Sequence, residues 1–174
     1  MVINLITFAS ILHKQTSIRS PHEVILTELE KYFSVNIIDY QDINKLSPND
    51  FSVIFIATGG VERLVIQHFE LLPRPAILLA DGMQNSLASA LEISSWLRGR
   101  GMKSEILHGE LSEIIKRILV LHSNFIAQRS LFGMRVGVMG APSNWLIASN
   151  VDYLLAKRRW GIEYVDIPLE RIYE

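Results

Sequence analysis

Apolar runs of strand length alternate with helix-length patterns along the whole chain. Val2 to Phe8 reads as a first strand. Pro21 opens a helix to about Phe33, with Val24, Ile25, Leu29 and Phe33 at helical spacing and proline in the first turn, where no N–H is needed. Val35 to Tyr40 is a second strand, and Ser47-Pro48-Asn49-Asp50 is a turn. Phe51 to Ala57 is apolar on both faces, the pattern of a strand inside a parallel sheet. Thr58-Gly59-Gly60 ends it, and Glu62 to Leu72 follows as a helix. Pro73-Arg74-Pro75 breaks the chain before a fourth strand, Ala76 to Ala80, which closes at Asp81-Gly82. Asn85 or Ser86 caps a helix running to about Arg100, its end bracketed by Gly99 and Gly101. Lys103 to Leu107 is a fifth strand. Leu111 to about Leu131 is a long helix with Ile114, Ile115, Ile118, Leu121, Phe125 and Ile126 on its apolar side.

Successive βα units predict an α/β fold: a doubly wound parallel sheet, flavodoxin-like or Rossmann-like, with right-handed crossovers, over residues 1–132. Strand 134–139, a helix from about Ser149 to residue 160, and strand 162–167 make one more βαβ unit in residues 133–174, with a helical turn after Pro168. One such unit is too small to stand alone. It is expected to be the start of a second α/β domain that continues beyond this sequence. Its bare sheet edges favour association, so a homo-oligomer is expected.

The chain has 174 residues, 49% of them hydrophobic and 20% charged, a balance that supports a packed core rather than disorder. Net charge is −1, which leaves no basic field to draw nucleic acid. Lys157-Arg158-Arg159, the dense basic run, reads as a solvated helix face, with an anion or partner contact as the alternative. The absence of cysteine removes disulfides, thiolate catalysis and Cys-ligated zinc, and fits a cytoplasmic protein. The opening MVINLITFAS has no basic region and reads as a strand rather than a signal peptide. No apolar run approaches the ~20 residues a membrane span needs.

Three strand ends carry small polar residues: Thr58-Gly59-Gly60, Asp81-Gly82 with Asn85-Ser86, and Gly140 to Trp145. Strands of a parallel sheet end on one edge, so the first two loops can converge on one crevice. The glycines also serve simply as tight turns. Asp81 is singled out because a carboxylate at a strand end has no turn to satisfy, and Asn85 lies in the same loop. In Met134 to Ser149, a strand breaks into small polar residues before a helix, where unpaired N–H groups can hold an anion or hydroxyl. Ser143 and Asn144 are hydrogen-bonding candidates there, and Trp145 offers a flat apolar face on which a sugar ring can lie. Gly137-x-x-Gly140-x-x-Ser143 is a poor dinucleotide fingerprint. Its middle spacing is wrong, Pro142 lacks an N–H, and Asp166 comes late for a ribose contact. No Walker loop, HExxH or Gly-x-Ser-x-Gly pattern occurs. Of the five histidines, His13 and His108 fall near strand-end loops, while His68 and His122 fall on helices. No pair has metal-ligand spacing and no Ser-His-Asp set can be assembled, so no catalytic or metal residue is assigned.

Four segments occur in an order that resembles the amino-terminal region of L-fucose isomerase-like and L-arabinose isomerase-like proteins. They are Ala57-Thr58-Gly59-Gly60-Val61-Glu62, Pro75 to Ala80 leading to Asn85-Ser86-Leu87-Ala88-Ser89-Ala90-Leu91-Glu92, Ile106-Leu107-His108-Gly109, and Gly140-Ala141-Pro142-Ser143-Asn144-Trp145-Leu146-Ile147-Ala148-Ser149. The last is the most specific, and the resemblance covers about residues 50 to 168. It implies a ketol isomerase that interconverts aldose and ketose through an enediol, with a divalent metal, usually manganese, holding adjacent sugar oxygens. The metal ligands, two carboxylates and a histidine, lie beyond the first domain in such enzymes, and no positions here match them. The chain would then be the non-catalytic front of the enzyme, without a cofactor of its own, helping to shape a monosaccharide pocket or a subunit interface through Asp81, Asn85, Ser143, Asn144 and Trp145. Where related proteins often carry Asp, this chain has Asn144, whose neutral amide can still bond a sugar hydroxyl. The alternative is a stand-alone flavodoxin-like module that binds a sugar or anion without catalysis.

Overall fold

The computed structural model describes residues 1–10, 18–143, 145–148 and 150–172. Two compact units divide the chain, Met1–Leu119 and Val120–Glu174. The division falls inside a helix, whereas the sequence places the boundary after that helix, at 132.

In the first unit the strands are β1 (Val2–Phe8), β2 (Ser34–Asp39), β3 (Ser52–Ile56), β4 (Ala76–Leu79) and β5 (Ser104–Leu107). They form one sheet in the order β2-β1-β3-β4-β5, every pairing parallel. This is the flavodoxin-like order, doubly wound about β1 and β3. The strands that carry apolar residues on both faces take the middle. Every residue of β3 and β4 is buried, while the edge strands β2 and β5 are only partly so. Asn4, a buried polar residue inside β1, accepts a bond from the side chain of its register partner Asn36 at 3.1 Å.

The helices of this unit are α1 (Glu23–Tyr32), α2 (Glu62–Gln67), α3 (Ser86–Gly99) and the first part of α4 (Leu111–Leu131). One face of the sheet presents Ile6, Phe8, Ile54, Ile56 and Leu78 to Val61 and Val65 near α2 and to Ala90, Ile93 and Leu97 of α3. The small residues Ser86, Ser89, Ala90 and Ser94 are all buried on α3, which lets it lie close to the strands. On the other face, His22 at the start of α1 meets Phe55 of β3 edge to face, with ring centroids 5.0 Å apart. Ile25, Leu26 and Leu29 are buried on α1, whereas Val24, expected inward, points out with 75% of its surface exposed. The inward stripe therefore follows positions 22, 25–26, 29 and 33. On α4, Ile114, Ile115 and Ile118 are buried and Ile126 is exposed.

Two helices depart from their sequence reading. Pro21 sits in a 3₁₀ turn, Ser20–His22, ahead of α1. The helix expected to reach Leu72 stops at Gln67 and resumes as a 3₁₀ turn, Phe69–Leu71. His68 at the break bonds the Leu64 carbonyl through Nδ1 at 2.8 Å, and its ring lies edge-on to Phe8 and Tyr40, which themselves stack at 5.3 Å. Its aromatic contacts take it off the helix surface where the sequence put it.

The second unit holds β6 (Arg135–Met139), α5 (Tyr153–Trp160) and β7 (Glu163–Ile167), the two strands parallel. Ser149, the expected helix start, lies outside the described residues. The helix begins later, where Asp152 accepts the Leu155 N–H at 2.8 Å as its cap. It ends at Gly161, in the left-handed region at φ 72°, where a side chain would strike Phe132. The basic run at 157–159 is solvated, with Lys157 paired to Glu163 at 2.6 Å.

If packing against α3 carries the first unit, Leu97→Ala should destabilise it by about 2–5 kcal/mol, because Leu97 is fully buried within that cluster. Urea unfolding followed by circular dichroism checks this. A loss below about 1 kcal/mol would mean that the face collapses around the gap.

Candidate functional site

In the 2-1-3-4-5 order, ligands bind outside the carboxyl ends of the strands, at the point where the winding reverses. Here that point lies between β1 and β3. Thr58, just beyond β3, is 2% exposed and joins the two strand ends: its Oγ1 accepts the Ser10 N–H at 2.8 Å and donates to the Gly59 carbonyl at 3.0 Å. His13, the other strand-end histidine expected here, lies outside the described residues.

Beside it stands the loop after β4, built around Asp81. Oδ2 accepts from His22 Nδ1 at 2.5 Å, and Oδ1 accepts from the Met83 N–H at 3.0 Å and the Ser86 hydroxyl at 3.2 Å. Ser86 Oγ in turn accepts the Gly82 N–H at 3.0 Å. The side chains of His22 and Asp81 are only 1% and 11% exposed. Burial works to raise the Asp81 carboxyl, but the bonds from His22, the Met83 amide and Ser86, with the charge of His22, outweigh it and hold the group below the usual carboxylate range. Asp81 thus does satisfy a turn, contrary to the reading from its position at a strand end.

The loop continues through an unusual backbone. Gln84 and Asn85 both lie in the left-handed region, at φ 51° and 63°, a conformation that carries about 1–3 kcal/mol of strain per non-glycine residue. Asn85 makes no side-chain cap to α3, in contrast to its expected role. The strain is held by the neighbouring loop. The Gly59 N–H bonds the Gln84 carbonyl at 2.7 Å, and a Cβ on Gly59 would come within 3.0 Å of Asn85 Cβ. The expected convergence of the first two loops is therefore present, and a side chain at position 59 would crowd Asn85. On the far side, His108 Nδ1 bonds the Ala80 carbonyl at 2.8 Å and its ring covers Gly82.

The five candidate residues divide between the two units. Asp81 and Asn85 belong to the first, Asp81 as the hub of the loop and Asn85 exposed upon it. Ser143 and Trp145 belong to the second, Ser143 half-buried and Trp145 76% exposed, so its indole faces solvent as a stacking surface would. Asn144 lies outside the described residues. His22 escaped sequence reasoning because its partner is 59 residues away and no local pattern links them. A groove between α3 and β5, lined by Leu91, Ser94 and Glu105 among others, is separate from this edge, and its Arg98 is already bonded to Ser104.

The metal that the resemblance implies does not fit these residues. Among the described residues no three His, Asp or Glu side chains come together as a cation site. His22 Nδ1 and Asp81 Oδ2 face each other in a mutual bond rather than a shared centre. No helix among them is long and apolar enough to cross a membrane.

Because Asp81 sits below its unfolded pKa, it contributes stability that is fully present above about pH 4 and is lost as pH falls through its lowered folded value. Asp81→Asn should cost about 1–3 kcal/mol at neutral pH by leaving buried donors poorly paired. The gap to the wild type should narrow as pH drops below about 4. Denaturant titrations from neutral to acid check this, and a gap independent of pH would show that the ionised carboxylate is not what holds the loop. In comparisons with known proteins, no family model matches the chain, and no curated protein does.

Proposed function

We propose that this chain is the amino-terminal part of a fucose isomerase-like carbohydrate enzyme, in which it shapes a monosaccharide pocket or a subunit interface rather than performing the isomerisation. The observation that carries the binding part is the polar loop pair at the carboxyl edge. Asp81, His22 and Ser86 fix one loop, Gly59 locks against the strained Gln84-Asn85 of the same loop, and Asn85 is left exposed above them. Strain held by its surroundings at a strand-end crevice is a mark of a functional site. The carbohydrate part rests on the resemblance carried by the four segments, above all Pro142-Ser143-Asn144-Trp145-Leu146-Ile147-Ala148-Ser149. Trp145, with its open indole face, suits the apolar side of a sugar ring. Aldose–ketose isomerisation, with manganese supplying the Lewis acid that holds adjacent sugar oxygens, would belong to the full-length enzyme, in a cytoplasmic homo-oligomer.

The test is a thermal-shift and calorimetric panel of L-fucose, L-arabinose and the corresponding alditols, set against inorganic phosphate and sulfate. A sugar or alditol at about 100 times its dissociation constant should stabilise the protein by roughly 2.7 kcal/mol. Asn85→Ala should weaken that effect. Stabilisation by phosphate or sulfate alone would favour an anion-binding module, and no response to any of them would sink the pocket reading.

A further inference from the structure

β5 ends the strand order of the first unit, so among the described residues its outer side meets no other strand. Lys103 and Leu107 turn their carbonyls inward to β4, where they accept the Ala76 and Ala80 amides at 2.9 and 3.0 Å. Backbone direction alternates along a strand, so the amides and carbonyls of Ser104 and Ile106 point outward. Among the described residues nothing bonds the amide or the carbonyl of Ile106 on that side. An unpaired edge of this kind is a template for an added strand.

A groove of about 590 Å³ runs beside the edge, between β5 and α3, lined by Leu91, Ser94, Ser95, Arg98, Glu105 and Ile106. Leu91, 56% exposed, and Ile106 supply its apolar part. Its two charges are not equivalent. Arg117 holds Glu105 through Nε and Nη2 at 2.6 and 2.8 Å, so that carboxylate is already answered. Arg98 has no carboxylate partner among the described residues. Its Nε and Nη2 donate to the Ser104 hydroxyl and carbonyl at 3.3 and 3.0 Å, which leaves Nη1 to meet an anion. The groove therefore carries one unanswered positive charge, fixed on the backbone of the strand itself.

Arg98 also decides what can lie there. It covers the outward carbonyl of Ser104, the first residue of β5, so a strand added at Ile106 has to stop on reaching it. A chain that ends against a cation sets its terminal carboxylate upon it. Because that chain arrives last at the amino end of β5, it runs antiparallel to β5. The β5 of a second copy is an internal segment and has no chain end to offer Arg98.

We propose that the groove between α3 and β5 captures the carboxyl-terminal segment of a partner protein as an added antiparallel strand, with its terminal carboxylate on Arg98 and an apolar side chain between Leu91 and Ile106. The site lies along the side of the sheet and does not depend on the sugar reading.

An array of heptapeptides ending in valine, leucine, isoleucine or phenylalanine tests this, each displayed once with a free carboxyl end and once as the carboxamide. The protein should be captured by free-acid peptides and not by their amides. For the tightest peptide, followed by fluorescence anisotropy, Arg98→Ala should cost about tenfold or more in affinity, the worth of a charge-assisted hydrogen bond. Leu91→Glu should cost as much by setting a carboxylate in the groove. Arg100→Ala, in the same turn but outside the groove lining, should bind as the wild type does. All three replace exposed side chains, and circular dichroism should show each variant folded. In ¹⁵N spectra the Ile106 amide should gain protection from hydrogen exchange when the peptide is added. Equal capture of acids and amides, or capture of neither, overturns the proposal. So does wild-type affinity in Arg98→Ala, or an equal loss in Arg100→Ala. Protection of Ile106 that rises with protein concentration in the absence of peptide would assign the edge to a second copy and overturn the proposal as well.

Discussion

A carboxylate withdrawn from water has to be surrounded by donors, and the carboxyl edge of this sheet is arranged around that requirement at Asp81. Its three donors come from places far apart in the chain: the entry to α1 through His22, its own loop through the Met83 amide, and the first turn of α3 through Ser86. The two helices start on opposite faces of the sheet, since His22 meets Phe55 while α3 covers the face of Ile54 and Ile56. One buried charge therefore ties both layers to the end of β4. Any single donor could be lost and the others would remain, but an Asp81 without a carboxylate would release all three.

That clamp explains how the adjoining backbone can hold two successive left-handed residues. Gln84 and Asn85 have no glycine's freedom, and α3 gives Asn85 no side-chain cap in return. The anchoring at residues 81–83 and 86 on either side, with Gly59 pressed against the bulge, fixes the ends between which the strained pair must fit. Rigidity here comes from polar bonds, whereas a few residues below it comes from apolar packing of β3 and β4. The change of material marks where the scaffold ends and the edge available to a ligand begins.

Much of the scaffold was legible because burial on two faces writes itself into composition. The unbroken apolar run of β3 placed it in the sheet interior, and the break at Thr58-Gly59-Gly60 marked the carboxyl edge. Local signals were less decisive where two readings competed. Val24 and Leu26 both fit a helical stripe, and only packing against the sheet turns Leu26 in and Val24 out. The stop at His68 depends on the rings of Phe8 and Tyr40, which are distant in sequence. Asp152 ahead of Tyr153-Leu154-Leu155-Ala156 was a readable cap, eclipsed by the serine at 149. At the site, position alone pointed to Asp81. Its partner His22 was beyond reach, because a contact across 59 residues leaves no trace in spacing.

The all-parallel sheet has a further consequence, for the order of assembly. Among the described residues no strand can zip to its sequence neighbour through a hairpin, since every pairing is parallel and needs a crossover. β1 is paired on both sides, yet its second partner, β3, begins at Ser52, more than forty residues after β1 ends at Phe8. Such non-local pairings slow folding. During synthesis β1 emerges first and waits, a seven-residue stretch, VINLITF, without charge or proline. That is the composition of a segment prone to cross-β association while exposed. The chain's most vulnerable moment is therefore written into a strand that later lies inside the sheet, and passes when β3 arrives to cover its second edge.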